Sequence, residues 1–232
     1  NPSGGLGQLF LNTTSGEMFV CTDATTDANV WTNVGPGTGD IQPYSFQGSN
    51  YGYVYGGTLP TSADVQQFSF TTDGNATDVG DQSVQRQSYT AASSTTHGYC
   101  IGGAVGTRDV IDKFAFASAN GFQMSDVGNL TMPRSYPSGM STQAYGYCAG
   151  GDNSGAQDRI DRIDFSSDGD STDWANLHTA KSAASNGVSG ETHGYTAGGG
   201  QTDQIQKFQY SSQSTGTDVA NLLAGTGTNQ AG

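Results

Sequence analysis

A six-residue phrase occurs four times in this chain: Gly52-Tyr53-Val54-Tyr55-Gly56-Gly57, Gly98-Tyr99-Cys100-Ile101-Gly102-Gly103, Gly146-Tyr147-Cys148-Ala149-Gly150-Gly151 and Gly194-Tyr195-Thr196-Ala197-Gly198-Gly199. Successive copies lie 46, 48 and 48 residues apart. A fixed period in this range marks a repeat architecture, in which no single unit can bury its own faces and neighbours must stack. The tyrosines (Tyr53, Tyr99, Tyr147, Tyr195) are expected to pack between units. Gly56, Gly57, Gly102, Gly103, Gly150, Gly151, Gly198 and Gly199 are expected to close each strand through positive φ and close backbone approach.

From Ile41 onward each unit reads as four short segments. The first is small and polar, as in Ser138-Gly139-Met140-Ser141, and the second is the repeated phrase. The third alternates with period two, as in Ile111-Asp112-Lys113-Phe114-Ala115-Phe116, with counterparts at Val65 to Phe70, Ile160 to Phe165 and Ile205 to Tyr210. The fourth is Asp126-Val127-Gly128-Asn129-Leu130, with counterparts beginning at Asp78, Asp173 and Asp218. Asp73-Gly74-Asn75 and Asp168-Gly169-Asp170 fall between the third and fourth segments, where Asp-Gly suits a hairpin turn with positive φ. Four antiparallel strands per unit describe a propeller blade, and no helix-period pattern competes.

The ends admit two arrangements. Residues 1–40 contain Leu9-Phe10-Leu11 and Met18-Phe19-Val20-Cys21 around Asn12-Thr13-Thr14-Ser15-Gly16, a strand-turn-strand signal, then Trp31-Thr32-Asn33-Val34, which matches Trp174-Ala175-Asn176-Leu177. Gly35 to Asp40 reads as a loop or linker. Four repeats occupy 41–222, and 223–232 form a closing strand or tail. The tryptophan spacing favours a split fifth blade built from both termini, which would hide open sheet edges. The alternative is a four-bladed ring with a separate N-terminal β adaptor.

Composition narrows the function classes. Only 12% of residues are charged, and 8 basic against 21 acidic residues give a net charge of −13 with no basic cluster, which excludes a nucleic-acid partner. No apolar run approaches the roughly 18 residues needed to span a bilayer, and residues 1–40 do not show the basic-then-apolar pattern expected of a signal peptide. Cys21, Cys100 and Cys148 lack metal-ligand spacing and are expected to be free, the last two buried at one repeat position.

Certain residues resemble a known family. The Gly-Gly after an aromatic-bearing strand, the fourth-strand leucine and the basic residue shortly after it (Arg86, Arg134, Lys181) resemble kelch repeats. The wording of Ile111 to Phe116 and Thr192 to Gly199 is similar to kelch-like repeats in virion and tail-fibre proteins of marine tailed phages. Gly7 to Thr13 with Cys21 to Thr26 and Trp31 resembles a short β module of phage appendage proteins. The resemblance implies an all-β, kelch-like propeller on the virion surface, with other virion proteins and a host-surface polysaccharide or receptor as partners. It also suggests a homo-oligomer.

Candidate chemistry is thin. His97 and His193 alternate with Tyr51 and Tyr145 ahead of the phrase, which suits packing or hydrogen bonding better than metal ligation. Asp168 to Asp173 loosely resembles a calcium loop without its closing Glu, and, ending in Trp174, a sialidase aspartate box with its Gly one position out. No cofactor, metal or catalytic residue is expected, and the copper site of galactose oxidase does not transfer with the fold. Loops joining second to third strands vary while strands repeat: Thr58 to Asp64, Ala104 to Asp109, Asp152 to Arg159 and Gly200 to Asp203. Their candidate ligand-binding residues are Asp64, Arg108, Asp109, Asp152, Asn153, Arg159 and Asp203.

The expected function is therefore that of a non-enzymatic phage virion protein, serving assembly and host-surface glycan or receptor binding. The alternative is a polysaccharide depolymerase or glycosidase, which needs two acids that break the repeat pattern. Asp64, Asp109, Asp158 and Asp203 look too regularly placed to supply them. A cellular kelch interaction module is a third reading, disfavoured by the lack of an appended helical domain.

Overall fold

A computed structural model describes residues 4–14, 16–34, 50–58, 61–105, 109–182, 186–200 and 202–223. Those residues form strands and turns with no helix, and the chain divides into two compact units, Asn1–Ser45 and Phe46–Gly232. Gly35 to Asp40, Ile41, Arg108 and residues 224–232, all used in the sequence reading, lie outside the described residues.

The N-terminal unit is an antiparallel sheet of order β1-β2-β3, from β1 (Leu9–Leu11), β2 (Met18–Asp23) and β3 (Val30–Asn33). The expected strand-turn-strand is present. Gly16 takes φ 76° in the turn, and its amide donates to the Asn12 carbonyl at 2.7 Å. Phe10 meets Trp31 edge to face at 5.9 Å while Cys21 is buried. The tryptophan match does not extend to register: Trp31 stands directly opposite Cys21, and the irregularity between Cys21 and Asp23 falls on β2.

The second unit holds four four-stranded sheets. Their strands are β4 (Tyr51–Thr58), β5 (Thr61–Ser69) and β6 (Thr77–Asp81); β7 (Thr90–Ser93), β8 (His97–Ile101), β9 (Val110–Ala115), β10 (Phe122–Gln123) and β11 (Ser125–Asn129). These are followed by β12 (Ser138–Ser141), β13 (Tyr145–Ala149), β14 (Gln157–Asp164) and β15 (Thr172–Lys181), then β16 (Asn186–Ser189), β17 (His193–Ala197), β18 (Gln204–Gln209) and β19 (Thr217–Asn221). Segments two to four of every unit coincide with strands, as does the first segment in the last three. β10 was not foreseen: it leaves the second repeat to pair, in parallel, with β6 of the first.

Each fourth strand carries a bulge, so that Val79, Val127, Trp174 and Val219 have no partner across the ladder. An extra residue here sharpens the local twist, which re-aims the strand end. The glycine pairs behave largely as expected. Gly102, Gly103, Gly150, Gly151, Gly198 and Gly199 take φ between 64° and 115°, and Gly56 takes 49°, whereas Gly57 stays within extended β4. Gly169 takes φ 145°, but Gly74 does not enter the positive-φ region, so the two Asp-Gly turns are not equivalent.

Neighbouring sheets interlock at three depths. Among first strands, the Ser93 and Ser141 amides donate to the hydroxyls of Ser141 and Ser189 at 3.0 and 2.9 Å. In the middle, second-strand tyrosines meet third-strand aromatics of the next repeat: Tyr53 with Phe114 and Phe116, Tyr99 with Phe165, Tyr147 with Phe208 and Tyr210. Ring pairs of this kind contribute beyond their buried area. At the outer edge, the carbonyls of Asp81, Asn129 and Asn176 accept from the amides of Met124, Ser171 and Gly216, each from the following repeat. That pairing covers edges that would otherwise be open to another chain.

The first sheet differs in one respect. Val54 is 53% exposed where its counterparts Cys100 and Cys148 are at 0%, and Phe68 is 38% exposed where Phe114 is at 5%. At the other end of the series Val188 and Val219 are also exposed. Both outer faces of the four-sheet series therefore carry the chemistry of an inter-sheet contact without being covered as the inner ones are.

Candidate functional site

The groups with most chemical potential are consumed by the repeats. Arg86 and Asp112 pair at 2.7 Å, and Arg134 and Asp161 at 2.9 Å, all four side chains fully buried. Each carboxylate is completed by the preceding fourth strand's end: Asp112 accepts from the Ser83 amide and hydroxyl (2.9 and 2.6 Å), and Asp161 from those of Thr131 (3.0 and 2.6 Å). Each arginine also donates to a second-strand carbonyl, Cys100 or Cys148. The backbone of the same basic residues binds backwards, since Gly103 and Gly151 amides donate to the Arg134 and Lys181 carbonyls at 3.0 and 2.9 Å. In the fourth repeat Gln206 replaces the aspartate, exchanging hydrogen bonds with the Thr179 amide and carbonyl, and buried Lys181 turns to Thr202. A buried charge must be paired and hydrogen-bonded, and this arrangement pairs both arginines; Arg86 Nε also donates to Gln82 at 3.2 Å, whereas Arg134 Nε has no such partner among the described residues.

The three cysteines are free and buried, as expected. Burial pushes the Cys100 thiol up to about 12 against the opposing effect of Arg86, and raises Cys148. Desolvation likewise lifts the Tyr99 and Tyr147 phenols to about 12, and Tyr55 and Tyr89 further still. The sign follows from linkage. The unfolded chain would ionise these groups near 9 for thiols and 10 for phenols, whereas the folded chain holds their protons, so their contribution to stability is fully present below that range and is lost as pH rises through it. An alkaline unfolding transition is expected above about pH 9–10, with a step in phenolate absorbance accompanying loss of sheet signal. Phenolate absorbance that is complete before the sheet signal changes would contradict the burial of these rings.

His97 and His193 accept or donate one short hydrogen bond each, from Nδ1 to the hydroxyl of Thr96 or Thr192 at 2.8 Å. Burial, then Lys113, holds His97 below its ordinary value. Asp168 to Ser171 lies in the connection from β14 to β15, where Asp168 pairs with Lys113 and Asp170 accepts from the Asn129 amide at 2.9 Å. Among the described residues no group of three His, Cys, Asp or Glu is placed to hold a metal ion, and there is no helix long and apolar enough to cross a membrane.

The candidate ligand-binding residues are only partly loop residues. Asp64 lies inside β5, opposite Asp81, and Arg159 inside β14, because the hydrogen-bonded ladders run further than the alternation of side chains suggests. Arg159 is committed to Asp173 at 3.2 Å and to the Thr131 hydroxyl at 3.1 Å. Nor is Asp64 regular: the residue equivalent to Asp109 and Asp203, whose carbonyls accept from Leu130 and Leu222, is Ala63, which accepts from Gln82. Asp152 and Asn153 do form a connection, fixed by reciprocal amide-to-carbonyl hydrogen bonds between Asp152 and Ser135 and by the Asn153 amide donating to the Gly155 carbonyl. Asp109, Asp152, Asn153 and Asp203 are half-buried at the same end of their respective sheets.

A second cluster sits at the opposite end of the third sheet. The Arg162 guanidinium lies 4.4 Å from the Tyr145 ring centroid and 3.7 Å from that of Trp174. Arg162 is the direct cross-strand partner of Tyr147, and all but Tyr147 are half-buried. Sequence reading missed it because Trp174 reaches Arg162 only through the fourth-strand bulge.

No protein-family model matches this chain, and no curated protein is detectably similar to it.

Proposed function

We propose that this chain is a non-enzymatic binding scaffold, a kelch-like propeller of a phage virion that holds host-surface saccharide at the loop end of its sheets. The carrying observation is the contrast between constant ladders and variable connections: the stretches joining second to third strands are 59–60, 102–109, 150–156 and 198–203. A rigid scaffold that varies at one end is suited to recognition. Asp152 and Asn153 supply the polar groups for sugar hydroxyls there. The buried acids and bases are tied into the repeats, which speaks against a hydrolase reading.

Closure into a ring belongs to the same proposal. Val54 and Phe68 match positions that are buried in each later repeat, so a further sheet is needed to cover them, and Val188 and Val219 ask the same at the other end. A fifth blade drawn from the termini is the reading carried over from the sequence.

The test is retention of the protein on immobilised bacterial surface polysaccharides, with reducing ends assayed in the same wells. Binding without new reducing ends, weakened when Asp152 and Asn153 are both changed to alanine, is the expected result. Accumulating reducing ends would establish the depolymerase reading instead, and retention unaffected by the double change would remove the loop end from the account.

A further inference from the structure

We infer that Arg162 is an anion-binding site, at the end of the third sheet away from the variable connections, that takes the carboxylate of an acidic saccharide. The periodicity makes the position informative. Each repeat places a polar side chain opposite its second-strand tyrosine: Gln67 opposite Tyr53, Lys113 opposite Tyr99, Arg162 opposite Tyr147 and Lys207 opposite Tyr195. Gln67 is satisfied by donating to the Tyr53 hydroxyl at 2.8 Å, and Lys113 by Asp168 from the next repeat's turn. At the third repeat the corresponding turn residue is Gln213, and among the described residues no acceptor pairs with the Arg162 guanidinium.

The geometry defines what can bind. The guanidinium carbon lies over both the Tyr145 and the Trp174 ring, a cation–π arrangement that supplies no hydrogen-bond acceptor, and its N–H groups form the fork that matches a carboxylate in bidentate fashion. Among the described residues the Tyr147 hydroxyl and Trp174 Nε1 also have no hydrogen-bond partner, but both atoms are buried, so the half-buried guanidinium is the group a ligand can reach. A charged fork without an acceptor calls for an acceptor-bearing ligand. Of the nearby acids, Asp164 is within electrostatic range of Arg162 but forms no ion pair with it and accepts from the Ser166 amide and hydroxyl, and Asp173 pairs with Arg159. A chain of net charge −13 repels densely acidic peptides, whereas a sugar with isolated carboxylates and apolar ring faces suits one arginine set among aromatic rings.

Trp174 can report on its own site, because Trp31 is the other tryptophan. In a Trp31→Phe background, indole fluorescence would be titrated with a hyaluronan hexasaccharide, in which uronate alternates with a neutral sugar, and with the neutral chitin hexasaccharide. The expected result is a saturable change with the first, none with the second, weakening as salt rises, and at least about a tenfold loss of affinity in Arg162→Gln. Arg162→Lys, which keeps the charge and loses the fork, is expected to lie between, and serves if the glutamine variant does not fold by circular dichroism. Equal titration of variants and parent, equal response to the two sugars, or no response at millimolar sugar would overturn the site. A response to a glutamate hexapeptide without one to hyaluronan would overturn the saccharide assignment. None of these outcomes bears on the loop end, which Arg162 does not line.

Discussion

Asp161→Ala is expected to lower unfolding free energy by about 3–5 kcal/mol, because it leaves the fully buried Arg134 without its carboxylate and strips the Thr131 hydroxyl of its acceptor, while the Thr131 amide keeps only the Ser171 hydroxyl. The cost comes from an uncompensated charge, not from the intrinsic worth of the pair. Replacing both partners, Arg134→Met with Asp161→Leu, is therefore expected to fall far closer to the parent. The fourth repeat already carries a milder solution, with Gln206 exchanging bonds with Thr179, so Asp161→Gln should lie between the two. Urea unfolding followed by circular dichroism would rank the variants. If Asp161→Ala unfolds within about 1 kcal/mol of the parent, the pair is not sequestered as described.

What the sequence made legible, and what it hid, follows from the same repeats. Strands were readable because one face of each is apolar with period two, and the Gly-Tyr phrase marks the same strand four times. The recurring Arg86 and Arg134 were visible, but their partners were not. Asp112 and Asp161 look like the polar half of an alternating strand, and only the stacking of one sheet on the next turns that half inward. Register was equally hidden. Asp64 resembles Asp109 and Asp203 in sequence, yet hydrogen bonding makes Ala63 their counterpart. β10 is two residues long and pairs with another repeat, so no local pattern announces it. Of the candidate site, the variable connections were legible as departures from a period, while Arg162 required the bulge that brings Trp174 to it.

Gly139→Ala is expected to destabilise by about 2–3 kcal/mol, although the side chain added is one methyl group. Gly139 lies in β12, and a Cβ there would stand under 3.0 Å from the Ala91 carbonyl oxygen of β7, a backbone atom that cannot swing aside. Gly187 in β16 meets the Gly139 carbonyl in the same way, so the first strands of three repeats approach backbone to backbone. The methyl must force β7 and β12 apart, which also strains the bond from the Ser93 amide to the Ser141 hydroxyl. Ala91 holds the equivalent place in β7 and is exposed, which explains why a side chain is accepted there and nowhere further along the series. Ala91→Gly should consequently cost no more than the roughly 1 kcal/mol of added backbone freedom. Thermal or urea midpoints of the two single variants distinguish the accounts. A Gly139→Ala protein as stable as the parent would mean that these strands do not stack, and with that the spacing on which the whole series of sheets is built would have to be abandoned.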